Sequence, residues 1–285
     1  DYDAMALQQF GAVSRLLVEG GGLLPAVRCN YGSSILPALF GVEHFIMAEE
    51  LDTLPTSRPL NDQAAVQRLV EAGVPALTGG WGAQVFAMGE RYAEIARQYP
   101  KIGRYVHVYH PDCQGPLDIC EVVWGSTLFY ALYDRPELVH ALLELACETY
   151  VRFIKAWSAI IPFRPGGNVH WGYYHRGNIM LRNDSAMNLS PAMYAGFAGP
   201  YDQRLLDACG GGALHFCGRG DHYIESCCRM GGLHAIAMSQ PAYNNMETIF
   251  RHTVDRGIKL IHFASEAASA ALSRGRYLHG CVQCN

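Results

Sequence analysis

Charge is scarce in this chain: only 17% of its 285 residues are Asp, Glu, Lys or Arg, with 22 basic side chains against 26 acidic ones. The net charge of −4 and the lack of any basic stripe argue against a nucleic-acid partner. So few charges also point to a surface partly covered in an oligomer, and a homodimer is expected. Long apolar runs are missing too, for none reaches the ~18 residues that a membrane span needs. The richest stretch, Val139 to Ile161, is broken by Glu144, Glu148, Arg152 and Lys155. No signal-peptide pattern is visible from Asp1, where the chain starts mid-pattern, and a cytoplasmic location is expected. No low-complexity segment, short repeat or Pro/Ser linker divides the chain, and no Gly-x-Gly-x-x-Gly follows an early strand.

Cysteine, by contrast, is plentiful, with ten scattered along the chain. Half the residues are apolar, enough to fill a core without disulfides. A reducing compartment is therefore expected, with Cys29, Cys120, Cys147 and Cys209 as small core residues.

Short β-branched or apolar runs alternate with longer amphipathic ones, the signature of a parallel sheet wrapped by helices. One helix opens at Asp134-Arg135-Pro136-Glu137, where proline suits the first turn and the acid suits the positive helix end. Leu138, Leu142, Leu145, Tyr150, Phe153, Trp157 and Ile160 fall on one face, with Glu148 and Arg152 paired on the other. Another opens at Ser190-Pro191, runs to about Cys209 and stops at Gly210-Gly211-Gly212. Candidate strands are Pro25–Cys29, Glu43–Met47, Arg104–Tyr109, Asn168–Trp171, Ile179–Arg182, Ala213–Cys217, Ala235–Ser239 and Lys259–Phe263. Together these predict a single α/β domain over residues 1–285, a (β/α)8 TIM barrel, although the fourth and fifth candidates lie too close for a full helix between them. An open doubly wound sheet is the alternative.

In such a barrel catalytic groups project from the C-terminal ends of strands. His215 and Cys217 end one strand and point the same way, since side chains alternate across it. Imidazole nitrogen and thiolate sulfur are the preferred ligands of zinc, although a packed core His and Cys would show the same spacing. Gly218 and Gly220 are read as freeing the following loop, and Asp221 as a helix cap, with His222 beyond it as a substrate-binding candidate. Near the end, His279-Gly280-Cys281 repeats the spacing and Cys284 follows; Cys281 would complete a His, Cys, Cys set with a fourth position open. Acids after other strands are candidates for proton transfer: Glu49, Glu50 and Asp52; Asp112, Asp118 and Glu121; and Asp184. Arg28, followed by Asn30, Tyr31 and Gly32, can grip a carboxylate. Trp81, Trp124 and Trp171 are candidate pocket walls, and His107 and His110 flank Tyr109.

These residues form an ordered series that resembles the uroporphyrinogen decarboxylase superfamily, which includes zinc-dependent methyltransferases moving methyl groups between corrinoids and thiols. The landmarks are Arg28 with Tyr31 and Leu36-Pro37, Gly115-Pro116 before a helix, Asp184-Ser185 ahead of Ser190-Pro191, His215-Phe216-Cys217-Gly218, and His279-Gly280. The resemblance runs through most of the chain and implies a (β/α)8 barrel. It also implies roles for Arg28, Glu49, Asp184, Ser185 and His279 in catalysis, and for Arg28, Tyr31, Trp171 and His222 around the substrate. Only Arg28 matches the paired-arginine loop of the decarboxylases, with Gly32 and Ser33 at the second arginine's place and Val122 or Val123 where a tyrosine is expected. A tetrapyrrole with many carboxylates would be poorly held. The methyltransferase branch fits better: His215, Cys217 and Cys281 stand where its Zn²⁺ ligands stand. A small thiol would be the methyl acceptor or donor, and a separate corrinoid protein the natural partner. A metal-independent decarboxylase of a pyrrolic or small aromatic acid, and a non-catalytic cofactor-binding barrel, are the alternatives.

Overall fold

Ala213, Leu214, Ala235, Ile236, Ala237, Leu260 and Ile261 are apolar residues with no exposed surface. Strands so buried on both faces belong to a parallel sheet whose crossovers cover it. The computed structural model describes residues 1–48, 50 and 56–285. Its strands are β1 (Ala26–Val27), β2 (Glu43–Phe45), β3 (Thr56–Arg58), β4 (His107–Val108), β5 (Asn168–His170) and β6 (Tyr173–His175), followed by β7 (Ile179–Arg182), β8 (Gly212–Phe216), β9 (Leu233–Met238), β10 (Lys259–Phe263) and β11 (Val282–Cys284). The described residues divide into two compact units, residues 1–21 with 25–162 and residues 22–24 with 163–285.

In the first unit β1 and β4 pair in parallel, and β2 and β3 antiparallel. The helix Pro136–Ile160 forms as its periodicity predicts, with Pro136 in its first turn. Leu142, Leu145, Tyr150, Phe153 and Trp157 are buried, while Leu138 and Ile160 at its ends are half-buried. The helix Gly82–Gln98 packs against it so closely that a Cβ on Gly89 would meet the Trp157 ring at 2.8 Å. Residues 100–105 are helical rather than extended, because Pro100 opens a short helix ahead of β4. Gly115-Pro116 opens the helix Pro116–Trp124 as expected.

In the second unit five strands form one parallel sheet in the order β11-β10-β9-β8-β7. The helices Gly199–Cys209, Ile224–Cys227, Met246–His252 and Ser265–Ser273 fall between successive strands. Ser190 caps its helix by accepting the Met193 N–H (3.2 Å), and Gly210, left-handed at φ 83°, ends the helix 199–209. One sheet face is lined by Met180, Ala213, Ala235, Ala237 and Ile261, small or flexible side chains with Tyr173 against them.

The expected eight-stranded barrel does not account for every candidate strand. β5 turns straight back into β6 as an antiparallel hairpin, which explains the short spacing before β7. Its loop is Trp171-Gly172, with φ of 51° and 88°, as a type I′ turn requires. Likewise β2 pairs antiparallel with β3. Among the described residues the strands form a mixed α/β architecture with a five-stranded parallel sheet, and no closed barrel is seen. No helix of the described residues is long and apolar enough to cross a membrane. All ten cysteines are free thiols, and Cys29, Cys120, Cys147 and Cys209 are buried.

Candidate functional site

Alternation along β8 puts Ala213, His215 and then Cys217 on one side. The alanine lies in the packed face, and the two chemically active side chains emerge past its edge. Cys217 Sγ stands 3.4 Å from His215 Nε2. The ladder continues one residue beyond β7, where the Asn183 N–H donates to His215 O (2.9 Å), and the chain then enters a 3-10 turn over Asp184–Asn188. Asp184 Oδ1 accepts the Cys217 N–H at 2.8 Å and lies 3.6 Å from His215 Nε2. From β9, Ser239 presents its hydroxyl 3.5 Å from Cys217 Sγ. One donor atom each from Asp184, His215 and Cys217 therefore lies within 4.8 Å of the others, the spacing of a metal site.

The electrostatics suit a cation. Burial pushes His215 down to about 4, reinforced by Arg182 and His262 and opposed by Asp184 and the Ala237 backbone. The imidazole is thus neutral near pH 7, the form that binds metal. Burial raises the Cys217 thiol, and the adjacent Asp184 raises it further, against a lowering bond to Ser239. Without a cation this sulfur holds its proton, and metal binding would release it.

Trp171 packs beside His215. Its ring meets His215 edge-on at 5.2 Å and His262 at 5.8 Å, and the Arg182 guanidinium stacks over it at 5.1 Å. A tryptophan at positive φ is uncommon, and such outliers gather at functional sites.

The remaining candidates fall elsewhere. Cys281 does not join the group; it precedes β11, where its carbonyl accepts the Leu260 N–H, and its thiol contacts His279 O at 3.6 Å. Register explains this. Cys284 pairs with Phe263, so in a parallel sheet it is Cys284, not Cys281, that ends its strand at the same edge as Cys217. His279 is exposed, 3.6 Å from Asp255 and ring to ring with Tyr277 at 4.4 Å. Ser185 is buried within the 3-10 turn beside Asp184. His222 donates its Nε2–H to Leu189 O (2.9 Å), tied to backbone rather than to the donor group.

In the first unit Arg28 is ion-paired with Asp112, and its carbonyl accepts the Tyr92 hydroxyl at 2.8 Å. Tyr31 packs on Trp81 with ring centroids 5.3 Å apart. Glu49 and Asp52 lie outside the described residues.

The loop after Cys217 is not free, despite its glycines. Asn244 Oδ1 accepts the N–H groups of Gly220 (2.8 Å) and Asp221 (3.0 Å), its amide donates to Gly218 O (3.0 Å), and Gln240 accepts the Gly218 N–H (2.6 Å). Asp221 caps Asn245 (2.7 Å), ahead of the helix 246–252, rather than the helix that follows it in sequence. Arg182 and Ser239 were the functional neighbours that sequence reading passed over, although both end candidate strands and the strand-end rule selects them.

No family model and no curated protein matches the chain. Among solved structures it is similar to a methyltransferase from Methanosarcina mazei, with a TM-score of 0.69 at 16% identity, over 100% of this chain and 79% of that one. At that identity the likeness is one of fold.

Proposed function

We propose that this chain is a zinc-dependent methyltransferase of the uroporphyrinogen decarboxylase superfamily, a single (β/α)8 domain that moves a methyl group to or from a small thiol. The observation that carries the reading is the convergence of carboxylate, imidazole and thiol at adjoining strand ends. The fold likeness to a methyltransferase supports it. The donor set fits zinc in kind, and His215, Cys217 and Asp184 would hold it. Bound there, zinc would keep a substrate thiol as thiolate, the nucleophilic form. The sulfur lone pair then forms the new S–C bond, and the methyl donor keeps the electron pair of the bond that breaks. A corrinoid protein is the proposed donor.

The protein's own residues have separate tasks. His215, kept neutral by burial, offers a nitrogen lone pair; Asp184 supplies negative charge and fixes the Cys217 backbone; Trp171 packs edge-on against the His215 ring. Arg28, its charge matched by Asp112, is a poor grip for a polycarboxylate, which counts against porphyrinogen decarboxylation. Elemental analysis of the purified protein should find about one zinc per chain, lost in Cys217→Ser. A metal-free wild-type protein that retains methyl transfer would overturn the proposal.

A further inference from the structure

Pro200 disturbs the helix that Ser190 begins. It lacks an N–H, and its ring would crowd the carbonyl four residues back. The chain winds a wider π-turn over Tyr194–Ala198, in which the Gly199 N–H reaches back five residues to Tyr194 O. This turn delivers Tyr194 to the interior, fully buried and stacked on Tyr223 at 4.7 Å. There its hydroxyl donates to Asp202 Oδ2 (3.0 Å) and accepts from the Cys227 thiol (3.0 Å). The Asn183 side-chain amide donates to the same Asp202 oxygen at 2.7 Å, and neither Asn183 nor Asp202 has any exposed surface.

A carboxylate taken wholly out of water is costly, and apolar side chains of equal volume would stabilise the fold as well or better. The network's value lies in where it ends. Asn183 is fixed at its side chain by Asp202 and at its backbone by His215 O (2.9 Å), and the next residue is Asp184. We infer that Tyr194, Asp202 and Asn183 are positioning residues that aim the Asp184 carboxylate at the His215–Cys217 pair. The inference rests on that pair being the functional centre, and it adds the buried support that sets its third donor.

The test needs a signal that mere destabilisation does not move. The Cys217 N–H, held by Asp184, reports where that carboxylate points. In metal-free protein, Tyr194→Phe and Asn183→Ala should quicken hydrogen exchange at the Cys217 amide by about tenfold, the worth of one hydrogen bond. Amides within β9 should stay as slow as in the wild type. Zinc affinity by chelator competition should fall about 10- to 100-fold, as when a ligand's outer partner is lost. Unchanged Cys217 exchange in folded Tyr194→Phe overturns the inference, as does an equal rise throughout β9, which marks a purely structural role. If the wild type takes up no zinc, it is the metal reading that fails, and the Cys217 amide still decides the question of positioning.

Discussion

The loops after β1 and β4 and the ends of β7 and β8 carry opposite kinds of chemistry. After β1 and β4 the Arg28 guanidinium meets the Asp112 carboxylate, and charge is balanced within the protein. At β7 and β8 a carboxylate, a neutral imidazole and a thiol gather, with no cationic side chain among the three. The same strand-end rule places both groups, yet one is a direct ion pair and the other a set of three donor atoms converging within 4.8 Å. Removing one partner of a buried ion pair leaves an uncompensated charge, whereas a set of donors contributes to stability only when a cation binds.

Stability measurements on metal-free protein can break that comparison. Arg28→Met removes the ion-pair partner of the Asp112 carboxylate, which is only 4% exposed, and should cost about 3–5 kcal/mol in urea unfolding. Cys217→Ala strands no charge and should cost less than about 1 kcal/mol beyond its lost packing. Equal losses would show that the donor group is as self-sufficient as the ion pair.

Acid sharpens the contrast. Besides His215, burial holds His175 down from 6.5 to about 4, with His234 adding to the shift and the Arg176 carbonyl opposing it. Between those values the unfolded chain takes up a proton that the folded chain refuses, so stability is whole above about pH 6.5 and falls as pH drops towards 4. The loss from His175 is up to about 3 kcal/mol. Melting temperatures recorded from pH 7 to pH 4 should show the fall, and His175→Gln should flatten part of it. A flat wild-type profile would mean that this imidazole is not held neutral.

The smallest effect concerns the Ser239 hydroxyl, which holds the Cys217 thiol lower than burial alone would leave it. Ser239→Ala should slow alkylation of Cys217 by iodoacetamide up to about fivefold, the equivalent of less than about 1 kcal/mol. An unchanged or faster rate would remove that bond from the account.

Local signals carried much of this architecture. The strands 179–182 and 259–263 and the helix 136–160 were legible from apolar patterning and flanking turn residues. His215 and Cys217 were legible too, because alternation alone fixes their common direction. What escaped depended on pairing partners. Trp171-Gly172 lacks the Asn-Gly or Asp-Gly usual in a type I′ turn, so only the first arm of the hairpin was legible, as a strand over 168–171, and β6 was missed. Cys281 and Cys284 are equivalent on paper, and only the match of Cys284 to Phe263 separates them. Asp184 was visible as an acid past a strand end, but its bond to the Cys217 amide arises between neighbouring strands and has no local mark. The Asn244 clamp on the 218–221 loop comes from more than twenty residues downstream, beyond any window of periodicity.

Trp171 meanwhile spends about 1 kcal/mol or more on a backbone angle that suits glycine, and its ring contacts with His215, His262 and Arg182 offset the expense. Trp171→Gly would relax the turn and open room beside His215 in a single step, at the cost of the ring's packing on the sheet beneath.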